Sequence, residues 1–281
     1  VITSGLRPAP TVLLGQAPDF VRRVLAGRTE TPEILRSFPT ALYLQLASGE
    51  VIAVLTCEAV ALPIGVVIKD RRAALPLLRN SSEVAIIDGV MHVAELQIYP
   101  ELPRSSRMPF VGEPQTPGLR RCRDWLAGNL HRSGLDASLP RTLSHAATAA
   151  QARSAVSCLL GRGPGLTPAG DDLLCGLLAG ARLFGRDCTD IAAAVATELA
   201  NRPRATTALS RQLLWRACKG DGLPELRELA AALVTDPAVV HNRLSLLTAI
   251  GHTSGIALLA GVLAAVDLRP NAYGLRNETR S

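Results

Sequence analysis

Five prolines, Pro100, Pro103, Pro109, Pro114 and Pro117, fall in "YPELPRSSRMPFVGEPQTPG" (Tyr99–Gly118). Each removes a main-chain donor and fixes φ, so the stretch is expected to hold no regular element. The apolar pattern changes across it, from alternation before to helical spacing after. A chain with that change is expected to fold as α+β. The N-terminal part is then a small antiparallel β-sheet or barrel, and the C-terminal part an all-α domain. The expected boundaries are a β-rich domain over 1–105, a proline-rich connection over 106–118, a helical domain over 119–268 and a polar tail over 269–281.

Turn chemistry supports the β half. "ALYLQLASGEVIAVLT" (Ala41–Thr56) is two apolar runs around Ser48-Gly49-Glu50, a hairpin signal. "EVAIIDGVMHVAEL" (Glu83–Leu96) turns on Asp88-Gly89, a pair suited to the positive φ of a tight hairpin. "IGVVIK" (Ile64–Lys69) is a further short strand, and "FVRRVLAG" (Phe20–Gly27) a short helix closed by Gly27. The expected helices of the second half are Leu119–Gly134, Arg141–Gly161, Ala169–Phe184, Cys188–Asn201, Thr207–Gly220, Leu223–Asp236, Asn242–Gly251 and a last one within Gly251–Asp267.

Bulk composition narrows the function. Apolar residues are 48% of the 281, enough for a sizeable core. Aromatics are 3%, too few for a base-stacking surface. The net charge of +6 comes almost wholly from arginine, Lys69 and Lys219 being the only lysines. Arginine pairs with oxyanions through two parallel hydrogen bonds, so a small anionic substrate is expected and nucleic acid is not. The six cysteines are scattered without a Cys-x-x-Cys. They read as buried free thiols in a reducing cytoplasm, with no zinc site. Pro8, Pro10 and Gly15 interrupt any leader peptide. The apolar runs Leu173–Phe184 and Ile256–Leu268 fall short of the roughly 20 residues of a membrane span, so no membrane association is expected.

The densest chemical signal is "GRGPGLTPAGDDLLCGLLAG" (Gly161–Gly180). Gly163 and Gly165 feed a helix that Thr167 is expected to cap, with Pro168 at its first position. A glycine turn at a helix N-terminus leaves N–H groups free at the positive end of the dipole, which favours an anion. The missing Gly-Lys-Ser/Thr rules against a nucleotide P-loop. Asp171 and Asp172 in the first turn favour the helix dipole in any case. As functional groups they are candidate catalytic residues, able to orient a substrate amine or hydroxyl or, as a possibility left open, to hold Mg²⁺. Gly170 lies between the cap and the acids. Gly176 and Gly180 share one face and are expected to admit a second helix closely.

Two further helix mouths resemble the first. "RPRATTALS" (Arg202–Ser210) offers Arg204, Thr206 and Thr207, and "GHTSG" (Gly251–Gly255) offers His252, Thr253 and Ser254. Convergence of the three would make a polar anion pocket; otherwise they are three capped helices. His252 is a candidate proton shuttle or oxyanion donor. His92, His131, His145 and His241 lie in ordinary strand or helix patterns.

The blocks GxGxGLTPAGDDxLxG, TTxLS and GHTSG, behind a β-rich half, resemble the bacterial AllH family, once catalogued as a domain of unknown function. The resemblance covers most of the chain, from the β half to Gly261. It implies a subunit of a multi-subunit oxamate carbamoyltransferase of allantoin breakdown, in which a carbamoyl group moves between oxalurate and phosphate. It also implies companion subunits. In that chemistry Gly163, Gly165 and Thr167 would cradle an oxyanion, an aspartate would position the amide nitrogen, and Thr206 and His252 would complete the pocket. Alternatives are a Mg²⁺-dependent phosphate- or nucleotide-binding enzyme and a non-catalytic assembly subunit.

Overall fold

The computed structural model describes residues 10–270, which form two compact units divided between Ser105 and Ser106. Most of the expected 269–281 tail lies outside the described residues.

The first unit carries β1 (Thr11–Ala17), α1 (Asp19–Leu25), β2 (Glu33–Ser37), β3 (Ala41–Gln45), β4 (Val51–Leu55), β5 (Gly65–Ile68), β6 (Val84–Ile87), β7 (Val90–Val93) and β8 (Leu96–Pro103). The eight strands form one curled sheet in the order β2-β3-β4-β5-β1-β8-β7-β6. Both hairpins form where the turn residues placed them. Gly49 sits at φ +93°, and Asp88 and Gly89 at +48° and +80°, the pair of positive angles that matches the twist of flanking strands. Leu42, Leu44, Ile52, Val54, Val66, Ile86 and Ile98 form the core, on which α1 packs Val21 and Leu25.

The sheet is mixed, which corrects the antiparallel expectation. β4 pairs parallel with β5, and β1 parallel with β8. Neither pairing is local, so no turn signal announces it. The prolines also leave more structure than expected, since β8 runs on to Pro103. β7 pairs with β8 only as far as Ile98, and beyond it β1 alone is the partner, with a register shift between Leu14 and Gln16. A strand with one free edge and a bulge tolerates missing donors.

The second unit is helical: α2 (Thr116–Asn129), α3 (Leu139–Ser144), α4 (Ala149–Leu159), α5 (Ala169–Leu183), α6 (Thr189–Asn201), α7 (Ala208–Cys218), α8 (Pro224–Thr235), α9 (Val240–Thr248) and α10 (Ser254–Val266). Arg141–Gly161 is not one helix. Thr148 takes extended angles and its side chain accepts from the Gln151 N–H, while the Gln151 side chain accepts from the Ala147 N–H. This reciprocal capping starts a new helix inside an alanine-rich run.

α5 and α10 are the hub. Within α5 only Cys175 and Arg182 escape full burial. A Cβ at Gly176 would lie 2.1 Å from the Leu258 carbonyl oxygen, and one at Gly261 2.1 Å from that of Leu173. Gly180 meets Val262 and Ala265 further along, so the two helices run parallel with their backbones in contact. All six cysteines are free, but Cys57 and Cys158 are exposed, against the expectation that the thiols are buried. No described helix is long and apolar enough to cross a membrane.

Candidate functional site

Parallel packing sets the N-termini of α5 and α10 side by side, and the turn before α7 completes the group. α4 ends at Leu159, and Gly161 follows at φ +73°. A Cβ on Gly161 would sit 1.8 Å from the Ala205 carbonyl oxygen, in the turn between α6 and α7. A Cβ on Gly170 would sit 2.1 Å from the Leu159 carbonyl oxygen. Only glycine lets these three main-chain segments touch. Gly170 therefore serves packing, and its N–H is spent on the Arg162 carbonyl at 2.9 Å.

Asp171 is fully buried and holds the segments together. Its Oδ1 accepts from the Gly161 N–H at 2.7 Å. Its Oδ2 accepts from the Ser210 hydroxyl at 2.7 Å and from the Thr206 hydroxyl. Burial pushes its carboxyl above the usual range, and these three donors pull it back. Thr207 caps α7 by accepting from the Ser210 N–H at 3.0 Å and donates to the Leu166 carbonyl at 2.5 Å. Hydrogen bonds thus tie the α7 mouth to the α5 mouth.

Asp172 differs from its neighbour. It is 6% exposed, and its Oδ2 is buried with no hydrogen-bond partner. Burial pushes its carboxyl up to about 7; the Ser254 hydroxyl opposes that, the Asp171 carboxyl adds to it and the Thr167 hydroxyl opposes it. Thr167 Oγ1 and Ser254 Oγ lie 3.1 Å apart, which joins the α5 and α10 mouths. Thr167 is therefore not the expected N-cap. Pro168 occupies the cap position without a side-chain bond, and the Thr167 hydroxyl faces α10 instead. Thr253 is the residue before α10 and makes no side-chain cap.

The glycine loop stays open above these groups. Gly163 and Gly165 take φ +114° and +96°, and nothing lies within 4 Å of a Cβ placed on Gly165. Among the described residues, no protein acceptor meets the N–H of Gly163, Gly165, Leu166 or Thr167. Free donors at the positive ends of two helices favour an oxyanion. His252 and Arg204 are exposed on the α10 and α7 approaches, and neither bonds to the buried carboxylates.

A magnesium pair does not fit this arrangement. Asp171 already gives both oxygens to protein donors, so a cation bridging the two acids would strand Thr206, Ser210 or Gly161. Among the described residues no three His, Cys, Asp or Glu side chains gather for a metal.

Sequence reasoning missed Ser210, whose hydroxyl donates to Asp171, although it stands in the quoted TTxLS block. Its position three residues after Thr207 marked it only as part of a capped first turn. It also missed the Gly161 N–H and the Leu166 carbonyl, which no side-chain pattern can announce.

The family model described as oxamate carbamoyltransferase subunit AllH matches residues 159–266. The matched span runs from the last residue of α4 to the last residue of α10 and holds every candidate site residue. It excludes the β half, to which the resemblance had been expected to extend. No curated protein and no solved structure matches the chain.

Proposed function

We propose, from the AllH match over 159–266, that the chain is a subunit of a carbamoyltransferase-type enzyme acting on a small ureido or oxo acid. The α5 mouth is its substrate-binding site. The observation that carries this reading is the pairing of unpartnered loop N–H groups with a buried carboxylate whose Oδ2 lacks a donor. An oxalurate–phosphate exchange needs both features. An oxygen of hydrogen phosphate attacks the terminal ureido carbonyl, the bond from that carbon to the inner nitrogen breaks, and the phosphate's proton passes to the nitrogen, giving carbamoyl phosphate and oxamate. Negative charge builds on the carbonyl oxygen, where loop N–H donors stabilise it without reorganising. Companion subunits supply whatever further groups the reaction uses.

In this reading Asp171 shapes the mouth and Asp172, Thr167 and Ser254 act at its floor. Gly163 and Gly165 give the ligand access to the main chain. Arg204 and His252 stand at the rim, placed to attract the anion.

Thermal unfolding of the full chain tests the proposal with phosphate, carbamoyl phosphate, oxamate, oxalurate and ATP, each with and without Mg²⁺. A ligand at about 100 times its Kd adds about 2.7 kcal/mol, a readable shift. Shifts with carbamoyl phosphate or oxamate are expected. A shift with Mg-ATP alone would replace this reading with a nucleotide-binding one.

A further inference from the structure

A cavity of about 510 Å³ lies within the helical unit at the opposite end of α5 from the mouth. The helix has 15 residues, so at about 1.5 Å per residue the two places are about 20 Å apart. Met108, Phe110, Leu178, Ala181 and Ala217 give the cavity an apolar wall, and its volume suits a small molecule. Two guanidinium groups share that wall. Arg182, in the last turn of α5, makes no hydrogen bond or ion pair to any described residue. It lies against Gly220, which follows α7 at φ +84°; a Cβ there would sit 2.7 Å from Arg182 Nε. The Arg186 side chain is 9% exposed, and its Nε is buried with no hydrogen-bond partner. Arg186 pairs with Glu113, whose side chain is 69% exposed, so water weakens that pairing.

The opposing negative groups are spent. Asp187 Oδ1 accepts from the Thr189 N–H at 3.0 Å and from the Thr189 hydroxyl at 2.8 Å. The last carbonyls of α5, on Ala181, Arg182 and Leu183, accept from the N–H groups of Arg186, Gly185 and Val111. The negative end of that helix therefore presents no bare acceptors, and a cationic surplus remains beside the apolar wall. We propose that this cavity binds a small monocarboxylate with an apolar body. Its carboxylate meets Arg182 and Arg186, and its body packs on Met108, Leu178 and Ala217. A guanidinium matches a carboxylate through two parallel hydrogen bonds, and the apolar wall gives a purely inorganic anion nothing to pack against. The site is separate from the α5 mouth and does not depend on what the mouth binds.

The probes are 3-phenylpropionate, its uncharged amide 3-phenylpropionamide, and propionate, which lacks the ring. Their affinities for the purified full chain would be measured by calorimetry at about pH 7.5, where both acids are ionised. The aromatic acid should bind, with the amide and propionate each weaker by about tenfold or more. Arg182→Met keeps the apolar stem without the charge and should weaken the acid by about tenfold, while Arg182→Lys should restore only part of that loss. Arg153→Met, on the exposed face of α4, and Asp172→Asn, in the mouth, should bind the acid as wild type does. The comparison of acid with amide needs no variant, so it stands whether or not Arg182→Met folds. Absence of saturable binding of the acid, equal affinity for acid and amide, or unchanged affinity in a folded Arg182→Met would overturn the inference. Loss of binding in Asp172→Asn would also overturn it, by moving the acid to the α5 mouth.

Discussion

Two adjacent aspartates occupy one helical turn and have opposite relations to their surroundings. Asp171 has three donors on two oxygens, while Asp172 keeps one oxygen without any. Asp171→Ala would strand the Gly161 N–H and two hydroxyls in a buried place. Each loss costs about 1–3 kcal/mol, so a Tm fall of ten degrees or more is expected by calorimetry. Asp172 behaves differently with pH. Its folded carboxyl is pushed from 3.8 up to about 7, so between those values the folded chain holds a proton that the unfolded chain has lost. Its contribution is therefore favourable below about pH 4 and declines as pH rises to about 7. Asp172→Asn removes that dependence. At pH 8 the variant should be more stable than wild type by on the order of 2–4 kcal/mol and unfold at a higher temperature, and the gap should narrow at pH 5. A constant gap across that range would contradict this. The Asp-Asp pair stood out in the sequence, but its division of labour did not. One hundred degrees of helical rotation turns the neighbours toward different surroundings, and the groups they face, Ser210 on α7 and Ser254 on α10, lie far along the chain.

At the scale of elements, local chemistry was legible and distant pairing was not. Asp88-Gly89 and Ser48-Gly49 each specify a hairpin within a few residues, and both hairpins formed. The β1–β8 pairing joins Thr11 to Leu96, and no periodicity in either strand names the other. The α3–α4 break was legible in principle, because Thr148 and Gln151 carry a capping pattern, but the alanine-rich flanks masked it. Gly176 and Gly180 shared a face in the sequence, and that face receives α10. Replacing Gly176 with alanine places a methyl group against the Leu258 carbonyl. Overpacking of this kind costs about 1–3 kcal/mol or more. Chemical denaturation should register that loss, and the same substitution at exposed Gly128, where a Cβ meets open space, should not.

On the scale of the whole molecule, the span that matches the AllH model is smaller than the unit that contains it. The unit begins at Ser106, and the match begins at Leu159. Leu130, Leu135, Leu143, Ala152 and Val156 all precede that start, and they pack in one core with residues of α5 and α10. A fragment starting at Leu159 should therefore lack a cooperative thermal transition, whereas one starting at Ser106 should keep it; circular dichroism distinguishes them. A sharp transition in the shorter fragment would show that α2, α3 and α4 are appendages.

The parallel pairing of α5 and α10 has a consequence for how such a site can change over generations. Each helix brings about half an elementary charge to its N-terminus, so two side by side supply about one positive charge built from main chain alone. No codon change erases it while the helices stay packed. In the proposed site, Thr167, Ser254 and the exposed rim are then the parts free to drift, while the positive end of the paired helices persists beneath them. The fold thereby separates a main-chain charge that is hard to lose from side chains that are easy to vary.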